Sequence, residues 1–182
     1  MTIHQTNPSS LVLPSEKKSN LVLIGMPAAG KSTAGVILAK MLGMDFLDTD
    51  LLIQRREGQR LSDIIKEKGI SGFLDVENAV CREVDVKDTV IATGGSIVYS
   101  DQAMKHLKEI GIVIYLEVPF EALENRLQDI RGRGVVLAEG QTLEELFQER
   151  SVLYQAYADL TISEKEKSLE ETVQALSMAI TR

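Results

Sequence analysis

Gly25-Met26-Pro27-Ala28-Ala29-Gly30-Lys31-Ser32 carries glycine, lysine and hydroxyl residues at the spacing G-x-x-x-x-G-K-S, between an apolar run and a helix-forming stretch. That spacing suits a loop wrapped around phosphate, because the glycines let successive backbone N–H groups converge on an anion at a helix N-terminus. Lys31 would reach the β- and γ-phosphates, and Ser32 would offer a hydroxyl to Mg²⁺, which prefers oxygen ligands. The candidate nucleotide contacts are Gly25, Ala28, Ala29, Gly30, Lys31, Ser32 and Thr33. The cofactors they imply are ATP and Mg²⁺. The competing reading is a glycine-containing turn that binds nothing.

A phosphate loop implies a nucleotide, and the acceptor must be sought elsewhere. Phe46-Leu47-Asp48-Thr49-Asp50 ends a second apolar run with two carboxylates. Alternate residues of an extended segment share a side, so Asp48 and Asp50 are expected to face the crevice at the carboxyl ends of the strands. Asp48 is assigned to water-mediated Mg²⁺ binding, and Asp50 to the acceptor hydroxyl as orienting group or base. The alternative is two solvated acids capping the next helix. Thr93-Gly94-Gly95-Ser96 offers a glycine pair that would let backbone approach a ligand closely, or would simply form a turn. Three arginines supply cations: Arg126, Arg133 and Arg150. Arg133 lies in Arg131-Gly132-Arg133-Gly134, a basic, glycine-rich lid candidate over about 131–140, and is chosen to stabilise the transferring group as a third catalytic residue beside Lys31 and Asp50. For Arg126 and Arg150 the rival reading is a solvated helix charge near Glu124 or Glu149.

Short apolar runs alternate with helical stretches, the pattern of parallel strands joined by crossover helices, so the class is α/β. Expected strands are 21–24, 44–47, 90–92, 112–116 and 160–162. Gly43, Gly69 and Gly111 each follow a helical stretch and are read as left-handed C-caps. Pro119 suits a first helical turn, and the capping boxes Thr142/Glu145 and Ser168/Glu171 open helices expected at 143–157 and 169–181.

The 182 residues suit one domain, with 44% hydrophobic and 26% charged residues as in ordinary globular proteins. Twenty Lys and Arg against 27 Asp and Glu give a net charge of −7, which disfavours broad attraction to nucleic acid or an anionic membrane. Cys81 has no disulfide partner and reads as packing, while His4 and His106 are expected at the surface. Residues 1–19 are polar and turn-rich and are expected to be a flexible extension. No apolar run approaches the ~18 residues of a membrane span, and a cytoplasmic location is the expectation.

Taken in order, these motifs resemble those of shikimate kinases over nearly all of 20–182: the phosphate loop, Asp48-Thr49-Asp50, a substrate-binding region at about 50–83, Gly94-Gly95-Ser96, the 131–134 segment, and Arg150-Ser151-Val152-Leu153-Tyr154. The resemblance implies a three-layer P-loop kinase fold of the nucleoside-monophosphate-kinase type with a central five-stranded parallel sheet. It implies transfer of the ATP γ-phosphate to the 3-hydroxyl of shikimate, in aromatic amino acid biosynthesis, by a monomer. It further implies that Asp50, Gly94, Gly95 and Arg150 touch the acceptor, that Arg133 reaches the phosphates, and that Arg126 and the loop Ser163 to Lys167 flank the adenine.

Three positions depart from the family pattern. Gly69-Ile70-Ser71-Gly72-Phe73-Leu74 carries Leu74 where the family has an arginine that helps hold the shikimate carboxylate; Ser96 stands for the third glycine of the turn, and Gly134 for a proline. The alternatives are a kinase for another sugar acid or polyol, suggested by Leu74 and Ile70, and a nucleotide-binding regulator without turnover, against which the retained Asp48 and Asp50 weigh.

Overall fold

The computed structural model describes residues 11–12, 18–128 and 140–181. In chain order its elements are β1 (Leu11–Val12), β2 (Asn20–Ile24), α1 (Lys31–Leu42), β3 (Asp45–Asp48), α2 (Thr49–Glu57), α3 (Leu61–Arg82), β4 (Thr89–Ala92), a 3₁₀ turn (Ile97–Tyr99), α4 (Asp101–Ile110), β5 (Gly111–Glu117), α5 (Phe120–Gln128), α6 (Leu143–Tyr157), β6 (Leu160–Ser163), α7 (Leu169–Ala179) and β7 (Ile180–Thr181).

Five strands form one parallel sheet in the order β3-β4-β2-β5-β6. A strand buried on both faces needs apolar side chains at every position, and β2 shows the consequence. Leu21 and Leu23 pack with Ala34 and Leu38 of α1 and with Val173 and Leu176 of α7. Val22 and Ile24 face the opposite way, with Leu107 of α4 and Leu146 and Tyr154 of α6. On β5, Ile112 and Ile114 join the first cluster and Val113 and Tyr115 the second, so the period-two alternation builds the three layers directly. Cys81 is buried in the second cluster, as the packing reading required.

The helix ends show which local signals dominate. Both capping boxes form, and Gly43 caps α1 in the left-handed conformation at φ 67°. Gly111 does not: at φ −155° and ψ 175° it is extended and already pairs with Asn20 in the sheet, where a Cβ would come to 2.8 Å from the Asn20 carbonyl oxygen. Gly69, at φ 71° and ψ 179°, interrupts α3 as a kink between two helical segments, so helical geometry does end there, but its ψ is not that of a left-handed cap. The last helix stops at Ala179, because Ile180–Thr181 leaves it to pair in parallel with Leu11–Val12, inside the stretch expected to be an extension. His106 is half-buried, with Nε2 2.7 Å from the Val84 carbonyl oxygen, so it is a packing residue as much as a surface one, and His4 lies outside the described residues.

Packing of α2 on α3 makes a third, smaller cluster from Ile53, Ile64, Phe73 and Val80. This helical pair stands at the end of the sheet where β3 and β4 terminate, and it forms one wall of the site.

Candidate active site

The loop between β2 and α1 is built from backbone conformations that side chains resist. Gly25 has φ 146° with the Leu116 carbonyl oxygen 2.7 Å from where a Cβ would sit, and Gly30, at φ 82°, caps α1 with no side-chain hydrogen bond. Ala28 also adopts positive φ, 64°, a strained conformation of the kind stored at functional sites. Lys31 opens α1 and is 7% exposed. Its ammonium donates to the Gly25 and Met26 carbonyl oxygens, both at 2.8 Å. Burial lowers its pKa to about 8, against the attraction of Asp50, so it is a cation at neutral pH held without full hydration.

Asp48 does two things at once. Its Oδ2 accepts the Ser32 hydroxyl at 2.7 Å, while Oδ1 accepts the N–H groups of Asp50 and Leu51 at 2.9 and 3.2 Å and caps α2. The expectation of one extended segment for Asp48 and Asp50 therefore fails: the strand ends at Asp48, and Asp50 occupies the first turn of a helix. Both still line the same cleft, because the cap turns the chain back over the strand end. Ser32 and Asp48 provide a pair of hard oxygen donors beside the phosphate loop, the ligand type Mg²⁺ takes. Among the described residues no cluster of three or more His, Cys, Asp or Glu could hold a metal by protein ligands alone.

Gly94 and Gly95 meet this cleft where nothing larger fits. Gly94 N–H donates to Thr49 Oγ at 3.2 Å, and a Cβ on Gly94 would collide with Glu77 Oε1 and lie 2.9 Å from Asp50 Oδ1. A Cβ on Gly95 would lie 2.7 Å from Pro27 of the phosphate loop and 3.2 Å from an Arg150 amino group. Close packing of the chain's own side chains against these two residues, rather than the turn alone, calls for glycine at both. Arg150 is 1% exposed on α6; its guanidinium lies 5.1 Å over the Tyr99 ring, and Nε donates to the Tyr99 hydroxyl at 3.3 Å. Tyr154, one turn on, donates its hydroxyl to the Gly95 carbonyl at 2.6 Å and so ties α6 to the glycine turn. The solvated-charge reading of Arg150 does not hold.

Arg126 comes to the loop Ser163 to Lys167. Both of its terminal nitrogens donate to Glu164 Oε2 at 3.0 Å, and Nη1 also reaches the Ala28 carbonyl at 3.3 Å. With Gly30, Thr33 and Leu169 they line a cavity of ≈ 240 Å³ beside the phosphate loop. Arg133 and the segment 131–134 lie outside the described residues.

The principal cleft, ≈ 520 Å³, brings together Lys31, Ser32, Asp48, Asp50, the two glycines and Arg150. It also contains a residue that motif reading passed over. Glu77, on α3, is 1% exposed; Oε2 accepts the Ser96 hydroxyl at 2.7 Å, and Oε1 has no hydrogen-bond partner among the described residues. Burial raises its pKa to about 7, with the Ser96 bond pulling the other way. No spacing rule singles out one glutamate on a long amphipathic helix; the signal available was Ser96, a hydroxyl in place of a glycine, which needs a partner once buried. Leu74 is not on the cleft wall but half-buried against the Ile53, Ile64, Phe73 and Val80 cluster.

A family model described as "Shikimate kinase" matches residues 27–181. The shikimate kinase of Persephonella marina is 36% identical over 86% of this chain and 96% of its own length. Among solved structures, shikimate kinase from Acinetobacter baumannii in complex with shikimate aligns with a TM-score of 0.81 at 34% identity, covering 88% of this chain and 92% of that one. The Aquifex aeolicus shikimate kinase aligns at TM-score 0.74 and 32% identity, covering 88% and 95%. The three-layer P-loop kinase fold with a five-stranded parallel sheet is common to them and to this chain.

Proposed function

The chain belongs to the shikimate kinase family, and from that premise we propose that it transfers the γ-phosphate of ATP to the 3-hydroxyl of shikimate. One observation carries the reading: the phosphate loop, both aspartates, the glycine pair and Arg150 converge on a single cleft although they come from four separate stretches of chain.

In this reading Lys31 exchanges its two loop carbonyls for phosphate oxygens, and its partly desolvated charge acts strongly on the transferring group. Mg²⁺, held by the Ser32 hydroxyl and through water by Asp48, would neutralise phosphate charge. Asp50 orients the acceptor hydroxyl and takes its proton as the new phosphorus–oxygen bond forms and the bond to the β,γ-bridging oxygen breaks. Gly94 and Gly95 let the acceptor approach the backbone, and Arg150 pairs with its carboxylate. Arg126 flanks the adenine. Arg133 is assigned to the transferring phosphate on the resemblance alone. ATP use supports a cytoplasmic setting. A second reading, a different hydroxy acid or polyol as acceptor, is favoured by Leu74.

Coupled ADP release measured across shikimate, related polyhydroxy acids and uncharged polyols tests both. Turnover that requires ATP and Mg²⁺ and is fastest with shikimate is the expected result. Efficient turnover of another acceptor with none of shikimate would overturn the named substrate, and no turnover of any acceptor would leave only nucleotide binding.

A further inference from the structure

We propose that Arg60 is the second cation that holds the carboxylate of the acceptor, taking over from the position that Leu74 occupies; the proposal rests on an anionic acceptor such as shikimate. Arg60 sits in the turn between α2 and α3 and lines the principal cleft together with Arg150, whereas Leu74 packs into the apolar cluster between these helices.

The local structure gives Arg60 no other task. It is the N-cap of α3, a position where Ser, Thr, Asp or Asn would accept a backbone hydrogen bond, and Arg, a donor only, makes no such cap. Its neighbours are paired: Arg56 with Glu83 at 2.7 Å, Lys68 with Glu57 at 2.6 Å, and Gln59 with Glu67 at 3.0 Å. Arg60 itself makes no side-chain hydrogen bond or ion pair among the described residues. Gly58, left-handed at φ 67°, closes α2 and turns the chain so that Arg60 comes over the cleft, and the Glu57–Lys68 and Gln59–Glu67 contacts brace that turn against α3.

Charge balance points the same way. Lys31 is turned to the carbonyls of the phosphate loop, so without Arg60 an incoming carboxylate would meet Arg150 as its cation beside Asp50. Arg60 supplies the missing positive charge, and its planar fork matches a carboxylate bidentately.

The test is Arg60→Gln, with Arg60→Lys beside it, assayed by steady-state kinetics and by calorimetric titration with shikimate and with shikimate carboxamide, which lacks the charge. Arg60 is exposed, so folding is not at stake, and thermal melting checks this. The expected result is a KM and Kd for shikimate raised roughly 10- to 100-fold in Arg60→Gln, little change for the carboxamide or in the KM for ATP, and partial recovery in Arg60→Lys. An unchanged shikimate KM, or equal losses for acid and amide, would overturn the proposal while leaving the kinase reading intact. If wild type binds shikimate without phosphorylating it and Arg60→Gln weakens that binding, Arg60 is supported and the named activity fails. Wild type that neither binds nor phosphorylates shikimate sinks both.

Discussion

Ser96 donates its hydroxyl to Glu77 Oε2 at 2.7 Å, and this contact joins the turn after β4 to the middle of α3 inside the acceptor cleft. It places a carboxylate, held at a pKa of about 7 by burial, beside Asp50 and Arg150.

Stability should therefore depend on pH through Glu77. Its folded pKa stands above its ordinary value near 4.5, so between those pH values the folded chain keeps a proton the unfolded chain has released, and stability falls as pH rises through the window, then levels. Glu77→Gln keeps a partner for Ser96 and removes the ionisation. Its stability relative to wild type should rise from pH 4.5 to pH 8 by on the order of 3 kcal/mol, read from denaturant melts. Parallel pH profiles for the two proteins would show that Glu77 ionises freely in the fold.

Gly94→Ala should fail because of Glu77 rather than because of backbone strain. The new Cβ meets Glu77 Oε1 and lies 2.9 Å from Asp50 Oδ1. We expect about 1–3 kcal/mol of destabilisation and a raised KM for the acceptor. In a Glu77→Ala background the same change should cost distinctly less, a coupling that a double-mutant cycle measures. Additive losses would place the clash elsewhere.

Lys31→Ala and Asp50→Asn should both abolish turnover, by different routes. The first removes a buried cation at the phosphate loop and should raise the KM or Kd for ATP. The second removes the group facing the acceptor and should leave ATP binding nearly unchanged in a fluorescent-nucleotide titration. Wild-type turnover in Asp50→Asn would withdraw its role toward the acceptor.

The two duties of Asp48 can be separated. Asp48→Ala loses the α2 cap, worth about 1 kcal/mol, as well as the oxygen facing Ser32. Asp48→Ser keeps a capping hydroxyl but no carboxylate, so it should recover most of the stability and little of the Mg²⁺-dependent activity. Equal activity in Asp48→Ser and wild type would leave Asp48 a structural cap only.

Much of this was written in short stretches of chain. The glycines, Lys31 and Ser32 of the phosphate loop act through dihedral preferences and fixed offsets over a few residues, so spacing alone identifies them. Continuous apolar runs fixed five parallel strands, and the two capping boxes fixed the starts of α6 and α7, because these are also local choices. Tertiary structure decided the rest. Whether Gly111 caps a helix or enters a strand depended on Asn20 beside it, some ninety residues away in sequence. Likewise, which side chains of α2 and α3 look into the cleft was set by the kink at Gly69, the turn at Gly58 and the packing of Ile53, Ile64 and Phe73: these put Glu77 and Arg60 on the wall and Leu74 in the apolar cluster. Spacing along a chain tells which residues can share a face, but which face meets the ligand is settled only when separate elements bury their apolar sides against one another.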